Sequence, residues 1–195
     1  HFKMSRGALS TGPVLFSRTD PTRGEAFRQR LSVSADTRLV VYAVTQKKRS
    51  SVRFHVFENE DEYVEAMSDL VRAVEELEGY HLLIKLHPAS ELTDEDVRTL
   101  LPPTDKMSVH RTVPFGDVLS AADVLVSYSS TTIEEAILSR IPVVLFDRWR
   151  RYRHVDALEC DRIARDRWQP DVAYYVTNPS LLADAIEHAA HNAKM

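Results

Sequence analysis

Short apolar runs that alternate with segments of helical periodicity constrain the fold of this chain most strongly. Residues 39–44 (LVVYAV) are apolar throughout, which is typical of a strand buried on both faces. Between residues 60 and 78 apolar side chains recur every three or four positions, which predicts a helix that ends at Gly79. Further apolar runs follow at residues 81–86, 107–110, 124–127, 142–146 and 173–176. This alternation predicts an α/β fold, a doubly wound, Rossmann-like parallel sheet.

The segments between the apolar runs are predicted to be helical. They are residues 23–31, a short stretch after a capping box at Thr93, residues 114–121, 131–139 and 155–167, and a terminal helix capped by Asn178. We expect residues 1–37 to form a lead-in linker with a short helix. Residues 38–195 would then form one Rossmann-like domain.

Charge and cysteine content exclude several classes of function. Acidic residues outnumber basic ones by 29 to 25, which argues against a nucleic-acid partner. A single cysteine, Cys160, excludes an intrachain disulfide and a cysteine-based zinc cluster, and no histidine spacing suggests a metal site. No apolar run approaches the roughly 20 residues that span a bilayer. We therefore expect a cytoplasmic protein with no bound metal or other cofactor.

The densest polar segments follow the first, second and fourth predicted strands. In doubly wound sheets, ligands bind beyond the carboxyl ends of the strands, where the strand order reverses. An order of 3-2-1-4-5 would place that crevice between the first and fourth strands. The residues that would reach it are Thr45, Gln46, Lys47, Lys48 and Arg49 after the first strand, His87 and Pro88 after the second, and Ser129, Ser130, Thr131 and Thr132 after the fourth.

The four hydroxyl residues at 129–132 stand where a strand turns into a helix. Unpaired backbone N–H groups and added hydroxyls at such a point suit a diphosphate. The alternative is simple helix capping, with Thr131 and Glu134 forming a capping box. Glu134 and Glu135 would either accept hydrogen bonds from a ribose diol or complement the helix dipole.

His87 would either donate a hydrogen bond to a phosphate oxygen or be a structural residue at a strand end. The basic run at residues 148–153 (RWRRYR) would either clamp an anion or lie in solvent, as most such runs do. Six further histidines, His154 among them, show no clear partner spacing.

The motifs at residues 82–88 (LLIKLHP), 121–130 (AADVLVSYSS), 134–136 (EEA) and 141–144 (IPVV) resemble the C-terminal, donor-binding domain of GT-B glycosyltransferases. The nearest members are the CDP-glycerol glycerophosphotransferase-like and capsule-polysaccharide transferases. The passage from Leu9 to Pro13 resembles the segment that leads into this domain, whereas Ser127 stands where the glycerophosphotransferases usually have Asp.

The resemblance implies roles for particular residues. His87 would be catalytic and would hold the donor phosphates together with Ser129, Ser130 and Thr131, while Pro88 fixes the backbone. The ribose would bind to Glu135, with Glu134 as the alternative.

The implied activity is transfer of a sugar or polyol phosphate from a nucleotide-activated donor in surface polysaccharide synthesis. The donor would be a nucleotide sugar or a CDP-polyol. The acceptor site would belong to an N-terminal domain absent from these 195 residues. We also expect peripheral association with the inner membrane. The alternatives are half of a UDP-sugar 2-epimerase-type isomerase and a non-catalytic Rossmann-like module.

Overall fold

A computed structural model describes residues 19–44 and 59–192. The predicted site residues Thr45 and Gln46, the basic cluster 47–49 and the passage 9–13 lie outside the described residues. The helices are α1 (Pro21–Arg30), α2 (Glu60–Glu75), α3 (Asp94–Leu100), α4 (Phe115–Ala121), α5 (Thr132–Leu138) and α6 (Leu182–Asn192). The strands are β1 (Arg38–Ala43), β2 (Tyr80–Lys85), β3 (Met107–His110), β4 (Val124–Ser127), β5 (Val143–Phe146), β6 (Leu158–Glu159) and β7 (Ala173–Val176).

Within the described residues, seven strands form one sheet in the order β3-β2-β1-β4-β5-β7-β6. Every pair of neighbouring strands is parallel. The α/β, Rossmann-like fold is therefore confirmed. The order 3-2-1-4-5 holds for the first five strands, and β7 and β6 extend the sheet beyond β5.

The central strands are largely apolar because they pack against helices on both faces of the sheet. Along β1, Val40 and Tyr42 enter a core with α2 and α6, whereas Leu39 and Val41 enter a second core with α4 and α5. We call these the α2/α6 core and the α4/α5 core. Side chains alternate between the two faces of a strand, so one continuous apolar run supplies both cores.

The prediction of a helix at residues 155–167 is wrong. This segment contains the two-residue strand β6 and two short 3₁₀ turns, Cys160–Arg162 and Arg165–Arg167. Its apolar side chains divide between the cores, because Val155 packs on the α4/α5 core and Ile163 packs on the α2/α6 core. A helix presents its apolar residues on one side and could not serve both cores.

Helix α1, expected in the lead-in segment, packs on α4. Phe27 is buried in the α4/α5 core, and the Arg28 guanidinium donates to the carbonyl oxygen of Ala121 at 2.7 Å. Gly24 permits this close approach, because a Cβ there would lie 2.2 Å from the carbonyl oxygen of Ser120. The division at residue 37 stays a prediction. Among the described helices, none combines the length and the apolar character needed to cross a membrane.

Candidate functional site

The carboxyl ends of β2 and β4 flank the end of β1. Ala43, the last residue of β1, is aligned with Lys85 on one side and with Ser127 on the other. His87 and Ser129 each lie two residues beyond those partners. Neighbouring strands are about 4.8 Å apart, which places the backbones of these two segments roughly 10 Å from each other. The topology thus brings His87 and the 129–131 segment to one crevice.

His87 is exposed and opens a tight turn. The backbone N–H of Ser90 donates to the His87 carbonyl oxygen at 2.8 Å, and Pro88 occupies the second position of the turn. The backbone N–H of Ala89 donates to Nδ1 of His87 at 3.1 Å. An imidazole that accepts at Nδ1 carries its proton on Nε2. The turn therefore defines which nitrogen of His87 is the donor.

Lys85 lies buried directly beneath this turn. Its ammonium donates to the carbonyl oxygen of Leu86 at 2.7 Å and to that of Arg111 at 2.8 Å. Burial lowers the pKa of Lys85, and the nearby Asp94 carboxylate partly opposes that effect. Lys85 thus ties the end of β2 to the loop after β3 and fixes the backbone that presents His87.

Ser129 and Ser130 are half-buried and Thr131 is exposed, so this segment remains open to solvent. Ser130 begins the helix, since its Oγ accepts from the N–H of Thr132 at 3.3 Å and its carbonyl accepts from Ile133. The capping-box alternative at Thr131 is wrong: Thr131 is already helical, and its side chain makes no capping bond. Because helix α5 has only seven residues, we expect the hydroxyl groups at its start to attract an anion more strongly than the helix dipole does.

Glu134 and Glu135 have different surroundings. Oε1 of Glu134 lies 2.9 Å from Nε2 of His154, which comes from the segment after β5. Burial raises the pKa of Glu135, and the neighbouring Glu134 charge adds to that rise. His154 holds Oε1 of Glu134, so only Oε2 of this carboxylate is left to accept from a ligand.

Three buried polar atoms around the start of α5 have no hydrogen-bond partner. They are the Thr132 hydroxyl oxygen, Oε2 of Glu134 and Nδ1 of His154. Nearly all buried polar groups in proteins are hydrogen-bonded, so a cluster of exceptions at one place is informative. Polar groups of a ligand or ordered water would satisfy these atoms.

The basic run after β5 is largely paired within the protein. Arg148 binds Asp69 and Glu65, and Arg151 binds Glu62, all three acids being on α2. Arg153 binds Glu159. Arg151 and Arg153 remain exposed, but all three arginines are paired with carboxylates of the protein. Arg148 and Arg151 anchor the segment after β5 to α2.

No group of three or more histidine, cysteine, aspartate or glutamate side chains lies together in a metal-binding arrangement within residues 19–44 and 59–192. The absence of a cofactor stays a prediction. The only cysteine, Cys160, is buried, which raises the pKa of its thiol to about 12.

Sequence reasoning placed Thr132 at this site but missed Lys85 and His154. Lys85 stands inside an apolar strand, and its burial depends on carbonyl partners in a loop 26 residues away. His154 and Glu134 are 20 residues apart, so no local spacing marks the pair. The adjacency of β4 and β5 is the one signal that could have indicated it.

A parallel sheet with helices on both faces and polar residues beyond the carboxyl ends of β2 and β4 defines a Rossmann-like domain. Similar solved structures include a variant of the wall teichoic acid polymerase TagF, with 14% identity over 89% of this chain and 40% of that chain, and a TM-score of 0.55. The calicheamicin glycosyltransferase CalG4 has 15% identity over 80% of this chain and 34% of that chain, and a TM-score of 0.51. These likenesses show the fold, one half of a GT-B enzyme.

A family model for CDP-glycerol:poly(glycerophosphate) glycerophosphotransferases matches residues 13–192, and the chain belongs to that family. The suspected family is thereby confirmed. No curated protein matches the chain. The chain spans about 40% of the length of TagF.

Proposed function

We propose that this chain binds the nucleotide-activated donor of a transferase that moves a polyol or sugar phosphate in surface polymer synthesis. The observation that carries this proposal is the convergence of His87 and the 129–131 segment on either side of β1, at one register of the sheet. Family membership supports a CDP-polyol such as CDP-glycerol as the donor. The acceptor and the base that deprotonates it are assigned to a domain outside these residues.

The donor diphosphate lies between the two segments in this proposal. Nε2–H of His87 donates to a phosphate oxygen, and the hydroxyls of Ser129, Ser130 and Thr131 donate from the other side. An acceptor hydroxyl oxygen attacks the phosphorus that carries the polyol. The bond from that phosphorus to the bridging oxygen then breaks, and the nucleoside monophosphate leaves with the bonding electron pair. Hydrogen bonds from His87 and the hydroxyls stabilise the charge on the departing phosphate.

Glu135 binds the ribose diol in this proposal, with its carboxylate accepting two hydrogen bonds. The pairing of Glu134 with His154 supports this choice between the two acids. Thr45 and Gln46 complete the proposed crevice from the end of β1, and no metal or other cofactor takes part. We further propose that the protein acts in the cytoplasm, with peripheral contact to the inner membrane.

Titration calorimetry of the whole 195-residue chain with CDP tests the proposed donor site. A hydrogen bond to a charged oxygen contributes about 1.5–3 kcal/mol, so Ser130→Ala and His87→Ala should each weaken CDP binding by roughly 10- to 100-fold. His87→Gln retains a donor at the ε position and should lose less affinity than His87→Ala.

Matched controls are Ser139→Ala, at the other end of α5, and His191→Gln, at an exposed position of α6. Both should bind CDP as the unchanged chain does. If CDP fails to bind at millimolar concentration, or if the controls weaken it equally, the proposal is wrong and a non-catalytic module becomes the better interpretation.

A further inference from the structure

A second cleft opens at the same edge of the sheet, beyond β5, β7 and β6. Its volume is about 400 Å³, and three arginines line it, namely Arg150, Arg153 and Arg162. Its lining residues come from β6, β7 and the segments that follow β5, β6 and β7, and none of the residues of the crevice beside β1 is among them. Pockets of a few hundred Å³ are of the size that holds small ligands.

The two acids that line the cleft, Glu159 and Asp161, already serve protein groups. Glu159 accepts from Nη1 of Arg153 at 2.6 Å and from Nε of Arg162 at 2.7 Å. Asp161 accepts from the backbone N–H groups of Thr177 and Asn178, each at 2.8 Å. Glu159 and Asp161 therefore fix the positions of the groups that line the cleft. The lining as a whole carries three positive charges, on the arginines, and two negative charges, on these acids.

Arg150 differs from the other arginines of the cleft. Its Nε donates to the hydroxyl of Thr177 at 2.9 Å, and among the described residues it pairs with no carboxylate. The two terminal nitrogens of its guanidinium have no hydrogen-bond partner within that part of the chain. They form a planar pair of donors of the kind that binds phosphate through two parallel bonds.

The backbone holds Arg150 in a strained position. Its φ is 56°, in the left-handed region that non-glycine residues rarely adopt. Residues 147–150 form a tight turn, in which the backbone N–H of Arg150 donates to the carbonyl oxygen of Asp147 at 3.0 Å. Oδ2 of the buried Asp147 accepts from Tyr175 and from the Tyr152 N–H, each at 2.8 Å. Strain that the surroundings maintain in this way is common at binding sites.

We infer that this cleft binds a small phosphate ester, with the Arg150 guanidinium on the phosphate. The cleft is a site separate from the donor crevice, so the inference goes beyond the proposed function and does not depend on it.

Titration calorimetry with glycerol 3-phosphate tests the inference on the whole chain. Arg150→Gly should weaken binding at least tenfold. Arg140→Gly is the matched control: it removes the same charge at the same backbone conformation, φ 59°, outside the cleft, and should leave the affinity unchanged. Glycine is at ease in this conformation, so both variants should stay folded, with melting temperatures equal to or above that of the unchanged chain.

Arg162→Gln, which leaves the strained turn intact, should also weaken glycerol 3-phosphate binding. Ser130→Ala should weaken CDP but not glycerol 3-phosphate, and CDP should not displace glycerol 3-phosphate. The inference is overturned if glycerol 3-phosphate fails to bind at millimolar concentration, if Arg140→Gly and Arg150→Gly weaken it equally, or if CDP competes with it. The first two of these results leave CDP binding at the donor crevice untouched, so they distinguish failure of this inference from failure of the proposed function.

Discussion

At the scale of single residues, two half-buried histidines make the stability of the fold sensitive to mild acid. His81 lies on β2, with its Nε2 3.1 Å from the Ser108 hydroxyl, and His110 ends β3. Burial lowers the pKa of both from the ordinary 6.5. Asp105 partly opposes the lowering at His81 and His110 adds to it, whereas at His110 Asp94 opposes it and Arg98 and Lys85 add to it. In the folded protein both therefore resist protonation.

At pH values between the lowered pKa values of the folded protein and the ordinary value of 6.5, the unfolded chain binds more protons than the folded one. The free energy of unfolding should therefore fall as the pH falls from 7 to 5. The double variant His81→Asn, His110→Asn should lose less free energy of unfolding than the unchanged chain between pH 7 and pH 5. Urea unfolding at both pH values measures this difference. The control His191→Asn should behave as the unchanged chain. Equal losses in the double variant and the unchanged chain would contradict this account.

The histidines also show what a sequence reveals about a site. His87 could be singled out because it directly follows an apolar strand, and the topology of parallel sheets places such residues at the ligand edge. His154 has no such marker, because its partner Glu134 is brought near by the adjacency of two strands. Residue type and strand ends were readable from sequence, whereas pairings between loops required the three-dimensional order.

At the scale of elements, the docking of α1 on α4 depends on one small residue. A Cβ at Gly24 would meet the backbone of Ser120 and Ala121, which cannot move like a flexible side chain. Gly24→Ala should therefore lower the free energy of unfolding by about 1–3 kcal/mol, as overpacking does.

The same substitution at Gly116, in α4, provides the control. A Cβ there has no neighbour within 4 Å, so Gly116→Ala should raise the free energy of unfolding by about 0.5–1 kcal/mol through helix propensity. Urea unfolding of both variants checks the pair. If Gly24→Ala proves as stable as Gly116→Ala, the close packing of α1 on α4 is wrong.

Elements differed in how far sequence could predict them. Strands β1 to β5 and β7 were readable because burial on both faces requires unbroken apolar runs. The 155–167 segment was not, because its apolar residues serve two cores in turn and so follow no single period. A two-residue strand such as β6 leaves no period to detect.

At the scale of the whole molecule, one sheet carries two cores of comparable importance. Leu82 enters the α2/α6 core and its neighbour Leu83 enters the α4/α5 core, each almost completely buried. Leu82→Ala and Leu83→Ala should each lower the free energy of unfolding by about 2–5 kcal/mol, within a single transition. The control Leu138→Ala, at a side chain that is 57% exposed, should change it by less than about 0.5 kcal/mol. A large loss in only one of the two buried variants would rule out a sheet covered on both faces.

The two-residue strand β6 has a consequence for how copies of this protein behave in a crowded cell. Sheet edges invite pairing with another chain, and nature protects them with short strands and charge. Here the outermost strand is Leu158–Glu159, and Glu159 forms ion pairs with Arg153 and Arg162. This end of the sheet therefore has very few unpaired backbone N–H and C=O groups with which a strand of a second molecule could pair. We expect little edge-to-edge aggregation at β6.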